Sequence, residues 1–276
     1  MGLFVVESLM EKYKVPVNPA IIIAGKQCSA PSLHICEGDY RGALESLSLI
    51  NTEKLDYHRI QKHYCYLGEA LQFEADRKIE NGEIGVDYES AKIAYYKSIY
   101  FARESKYPPI IEARISANNL SNIIKIEKGI TGCSSITIRD ELSGSIIVEQ
   151  VNTIDLLNWA ASKDFAKAYL NLMNLYAGIY NEFESKGMSD SLKKSIKISG
   201  SNELINKYLL KKIIETSSKV VEYKTFVNEN DIVISSQNME HACLEYMDAG
   251  YEVSELAIDT NINCRDLVIN RRVNLL

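Results

Sequence analysis

The distribution of proline constrains this chain more than any other feature. Its five prolines, Pro16, Pro19, Pro31, Pro108 and Pro109, all fall before residue 110. Proline removes a backbone donor and breaks helix interiors, so a long proline-free stretch is what a succession of helices shows. From Gly38 onward apolar residues recur at spacings of three and four. Breaks come at Gly82 and Gly85, Pro108-Pro109, Gly129 to Gly132, Gly144, and Gly187 to Gly200. The pattern predicts an all-α protein with short turns and no required strand. Residues 1–37 read differently, as a short amphipathic helix over Leu3 to Tyr13 followed by an irregular arm.

Several of these helical segments resemble one another. Tyr64-x-x-Leu67-Gly68-x-x-Leu71, Ala117-x-x-Leu120-Ser121-x-x-Ile124 and Tyr169-x-x-Leu172-Met173-x-x-Tyr176 share a frame, with their leucines 53 and 52 residues apart. Residues three and four apart form one helix face, and a small residue beside the leucine lets a neighbouring helix come close. Phe101-Ala102-Arg103-Glu104-Ser105-Lys106 before the second segment echoes Trp159-Ala160-Ala161-Ser162-Lys163 before the third. Gly38-Asp39-Tyr40-x-x-Ala43 likewise echoes Val86-Asp87-Tyr88-x-x-Ala91. Helix pairs in series account for these echoes.

The three segments, the run Asp87-Tyr88-Glu89-Ser90-Ala91 with Tyr95, and Trp159-Ala160-Ala161 followed by Ala168-Tyr169-x-Asn171-Leu172-x-x-Leu175-Tyr176 resemble the tetratricopeptide and Sel1-like repeat families. The resemblance covers roughly residues 38 to 180 and implies antiparallel helix pairs stacked into a right-handed superhelix. Three divisions follow: an arm over 1–37, repeats over 38–185, and a helical part over 186–276 that is either a terminal cap or a separate small domain. In the tetratricopeptide family, peptides lie on the concave face and are held by Asn and Lys. Through the leucine frame this implies partner-binding roles for Lys62, Glu69, Asn118, Asn122, Lys125, Lys167 and Asn174. Asn122 and Asn174 occupy the same frame position, and a ladder of amides can bridge the C=O and N–H groups of an extended chain.

No local signature of catalysis accompanies the repeats. There is no His-Glu-x-x-His, Gly-x-Ser-x-Gly or phosphate-binding loop. The four histidines are His34, His58, His63 and His241. Cys28, His34 and Cys36, with His63 or Cys65, could suggest a zinc site, but the spacing fits no common ligand pattern. A metal-dependent sensor or hydrolase using the Cys28, His34, Cys36 and His63 region is therefore the alternative to a binding protein without cofactors. The 17 tyrosines, Tyr88, Tyr95, Tyr96 and Tyr100 among them, are expected to pack between helices with their hydroxyls reaching water.

With 37 acidic against 31 basic side chains, the chain lacks the positive surface that nucleic acid needs. The first residues lack the pattern of a signal peptide, and the apolar run near Ile21 is too short to cross a bilayer. The expectation is a cytoplasmic protein with reduced thiols and a protein or peptide partner, serving as an adaptor, a regulator or an immunity-type inhibitor.

Overall fold

A computed structural model describes residues 39–252, apart from 131 and 142, together with 254 and 256. The expected arm over 1–37, with Cys28, His34 and Cys36, lies outside the described residues.

Helix boundaries follow side-chain chemistry. Asp39 accepts from Gly42 N at 2.9 Å and opens α1 (Tyr40–Ser48), and Asp56 accepts from Arg59 N at 2.8 Å and opens α2 (Tyr57–Glu80). Such caps satisfy donors that the first helical turn leaves without an intrahelical partner. Next come α3 (Glu89–Glu104), which stops short of Pro108-Pro109, and α4 (Ile111–Lys128). After the hairpin described below come α5 (Thr153–Ala161), α6 (Ala166–Lys186), the short α7 (Asp190–Ser195), α8 (Asn202–Glu222) and α9 (Glu229–Asp248). Asn152, Ser189, Ser201 and Asn228 cap α5, α7, α8 and α9. The described residues are thus mostly helical, as the sequence predicts.

One departure lies between α4 and α5. Strands β1 (Cys133–Arg139) and β2 (Ile146–Asn152) form a two-stranded sheet where the reading of the sequence required none. Ser134, Ile136 and Ile138 are buried and their neighbours exposed, the two-residue alternation of a half-buried strand. Asp140 N donates to Ser145 O at 2.9 Å and Gly144 N to Asp140 O at 2.8 Å. Gly144 turns there with φ 71°, a conformation that its missing Cβ permits.

The chain divides into two compact units. The first takes the described residues up to Ile123 together with those of Ser135–Gln150; the second takes the described residues of Ile124–Ser134 and those from Val151 on. In the first, Ile60, Tyr64, Ala94 and Phe101 form a core between α2 and α3, with Leu55, Leu67, Leu71 and Tyr100 packed against it. Gly68 makes this approach possible: a Cβ on it would stand 2.5 Å from the Tyr95 ring. In the second unit α6 packs against α5, α8 and α9, and Leu170, Met173 and Val220 form a cluster with Tyr169 and Val227. Residues on both sides of position 185 share this unit.

The leucine frame falls on long helices, Leu67 on α2, Leu120 on α4 and Leu172 on α6. Leu120 and Leu172 are buried, whereas Leu67 is only half-buried at the margin of the α2–α3 core. The two Asp-Tyr-x-x-Ala echoes open α1 and α3, and Ala43 and Ala91 are both buried. Cys65 is a buried free thiol, as expected; Cys243 is disulfide-bonded, which corrects the expectation of reduced thiols throughout.

Candidate functional site

In the first unit, ionisable groups converge where the hairpin meets α2 and α3. Tyr64 of α2 donates its hydroxyl to Glu141 at the hairpin tip, and Lys97 of α3 pairs with the same carboxylate. The Lys97 ammonium also sits 4.8 Å from the Tyr64 ring centroid. One turn further along α3, Tyr100 donates to Asp140 at 3.4 Å. Glu149 of β2 accepts from Tyr96 and, at 3.1 Å, from Arg103. Positions 96, 100 and 103 share one helix face, so a single stripe of α3 grips both ends of the hairpin.

The groups of this cluster hold one another by charge and hydrogen bonds. Lys97 and Glu141 have side chains only 16% exposed, so each needs the other for its charge. Burial pushes the Tyr64 phenol far above its usual range, reinforced by its bond to Glu141, and that keeps it a donor. Burial also raises the Glu149 carboxyl. His63 stacks edge-on against Tyr64 at 5.0 Å, and burial lowers its pKa to about 4 although Glu141 pulls the other way. It is neutral at pH 7. Among the described residues, the Nδ1 of His63 and the Oε2 of Glu141 are buried without a hydrogen-bond partner. Of the histidines and cysteines that could have held a metal, His63 and Cys65 are described; His63 belongs to this cluster and Cys65 is a buried free thiol. Among the described residues no group of three or more His, Cys, Asp or Glu is placed to hold a metal.

Tyr95 and Tyr96 are buried, but the hydroxyls of Tyr88, Tyr95, Tyr96 and Tyr100 bond within the chain where the sequence led us to expect water. Tyr88 donates to Asp76 at 2.6 Å and Tyr95 to Gln72 at 2.9 Å, while Asn119 of α4 donates to the Tyr95 hydroxyl at 3.2 Å. Together with Tyr96 and Tyr100 they make a polar lattice that spacing along the chain does not reveal.

The residues implied as partner-binding divide between the units. Lys62, Glu69, Asn118 and Asn122 belong to the first, and Lys125, Lys167 and Asn174 to the second. Lys62 is ion-paired with Glu112 at 3.4 Å. Glu69 is half-buried, and burial together with the Glu112 charge raises its pKa to about 7. Asn118 is 1% exposed and cannot face a partner, because α4 also buries Ala113, Ser116, Ala117, Leu120 and Ser121 and so is covered over most of its circumference. Asn122 is half-buried, while Lys125, Lys167 and Asn174 are exposed.

Two of these residues, Lys167 and Asn174, lie on an outward face of α6. Leu170, Leu172, Met173, Leu175, Tyr176, Ile179, Tyr180 and Phe183 are buried, which leaves a narrow stripe through Lys167, Asn174, Gly178 and Asn181. Gly178 is unlike Gly68. It lies mid-helix, where glycine costs about 1 kcal/mol relative to alanine, and a Cβ there would meet nothing within 4 Å among the described residues. The Asn181 amide beside it escaped the reading of the sequence, because the repeat frame stops at Tyr176.

The first unit also has a cleft of about 430 Å³ between α1 and α2, lined by Arg41, Arg77 and Lys78 against Asp39, Glu74 and Glu83. Lys78 and Glu74 pair at 2.9 Å, and the balance of charge selects neither anion nor cation. No helix among the described residues is long and apolar enough to cross a membrane. No protein-family model, no curated protein and no solved structure matches this chain.

Proposed function

We propose that this chain is a non-enzymatic protein- or peptide-binding protein, built from helix pairs of the tetratricopeptide and Sel1-like kind stacked in a right-handed superhelix. It acts as an adaptor, a regulator or an inhibitor of its partner. The observation that carries the reading is the outward face of α6. Asn174 is exposed on it, Asn181 stands two turns further on, and between them Gly178 leaves bare helix backbone that the fold itself does not require. Primary amides donate and accept at once, and bare backbone admits close approach; both suit recognition of another chain. Lys167 extends this polar face along α6, and Lys125 is a further exposed position of the second unit. The first unit offers its own positions: Asn122, in the matching frame position of α4, with ion-paired Lys62 and half-buried Glu69.

The buried ionisable cluster serves this function by support. Lys97, Tyr64, Tyr96 and Arg103 fix the hairpin, whose outer face presents Ile146 and Val148, 75% and 64% exposed. The test is affinity capture from the native host with the full chain as bait, using wild type and Asn122→Ala/Asn174→Ala in parallel. The reading requires a partner that wild type retains and the double variant loses. Equal retention by both would overturn it.

A further inference from the structure

We infer that Asn81 is a site of spontaneous covalent modification: in the folded chain its side-chain amide converts, through a cyclic imide with Gly82, to aspartate and isoaspartate. This goes beyond the partner-binding reading and uses none of its residues.

Asn81-Gly82 is the one Asn-Gly step in the chain. Glycine has no Cβ to hinder the approach of its amide nitrogen to the preceding side chain. Gly82 also stands in the open, because a Cβ there would meet nothing within 4 Å among the described residues. Asn81 ends α2 with φ −78° and ψ 0°, and its exposed side chain has no hydrogen-bond partner among the described residues. Nothing described ties that amide in place.

The chemistry needs only water. The Gly82 nitrogen gives up its proton to hydroxide and bonds to Asn81 Cγ; the bond from Cγ to the side-chain nitrogen breaks, and ammonia leaves. Water then opens the imide at either carbonyl, which yields aspartate or isoaspartate. The fold sets the gate on the first step. Gly82 N donates to Ile79 O at 2.9 Å and Glu83 N to Lys78 O at 3.0 Å, the paired bonds of a Schellman cap. While the cap holds, the attacking N–H is spent on a carbonyl, so ring closure waits for the last turn of α2 to open. Residues 79–85 are exposed throughout, and an opening that uncovers no buried side chain costs little.

Conversion changes the cleft between α1 and α2, which Asn81 also lines. Three basic side chains there, Arg41, Arg77 and Lys78, face three acidic ones, and a carboxylate at position 81 gives the acids the majority. The isoaspartate form also lengthens the backbone by one carbon inside the cap, so the Glu83 to Lys78 bond no longer spans its ordinary number of atoms.

The test ages the full chain for several weeks in mildly alkaline buffer, native in one arm and unfolded in guanidinium chloride in the other. Peptide mass mapping follows the amide-to-acid mass gain, and hydroxylamine, which traps the imide, reports it as cleavage after residue 81. The native chain should convert at Asn81 less than about thirtyfold more slowly than the unfolded chain, since only the terminal turn must open. No other asparagine should convert as fast in the native arm. Asn81→Gln should lose both signals, because the longer side chain closes its ring far more slowly. A native rate below that bound while the unfolded chain converts, a faster asparagine elsewhere in the native arm, or either signal persisting in Asn81→Gln overturns the proposal. None of these outcomes touches the partner-binding reading, which fails only if the asparagine double variant keeps its partner.

Discussion

Gly68 and Gly178 show how one residue type serves opposite purposes. Gly68 faces the Tyr95 ring so closely that Gly68→Ala should cost about 1–3 kcal/mol, as over-packing does. Gly178→Ala meets open space and should stabilise by up to about 1 kcal/mol. Urea titration of the two variants checks both signs. Glu69 offers a second test at this scale. Its folded pKa, about 7, lies above the ordinary 4.5, so the fold favours the protonated form. That contribution is full below pH 4.5 and is lost as pH rises through 7. Glu69→Gln should therefore stabilise by about 1–2 kcal/mol at pH 8, after discounting for partial exposure, and by little at pH 5. Equal effects at the two pH values would show that Glu69 is not so burdened. His63 works in the other sense, its stability contribution falling as pH drops from 6.5 toward 4. The sequence marked Gly68 through its place beside Leu67. It could not mark Glu69 as a perturbed acid, because the burial that raises it most and the Glu112 charge that adds to this both arise from tertiary packing.

Among the elements, the hairpin depends most on contacts distant in sequence. Tyr64 and Glu141 are 77 residues apart, and Tyr96 and Glu149 are 53 apart. Glu141→Ala leaves the Lys97 ammonium without its partner and should cost about 3 kcal/mol. The double variant Lys97→Met/Glu141→Leu should cost less than the two single changes together, with a coupling of about 0.5–3 kcal/mol in a double-mutant cycle. Additive costs would mean that the two side chains do not act as a pair. Helices were legible because apolar periodicity is local, recurring at three and four within each segment. The hairpin was hidden because its glycines also read as helix breaks. The alternation of Ser134, Ile136 and Ile138 was its one local signal. Asn118 was misplaced for a related reason, since a repeat frame assigns an outward face without knowing how many neighbours a helix has.

At the scale of the molecule, the claim is that the polar outward positions exist for a partner and not for the fold. The side chains of Asn122 and Asn174 make no hydrogen bond among the described residues, so stability should be almost indifferent to them. Once a partner has been captured, calorimetric titration of wild type and Asn122→Ala/Asn174→Ala tests this most directly, with thermal melts run alongside. The account requires melting of the two proteins to agree within about 0.5 kcal/mol per site. It also requires affinity to fall by about 1–3 kcal/mol for each partner group left unpaired. Unchanged affinity, or a loss of affinity explained by loss of fold, would contradict it.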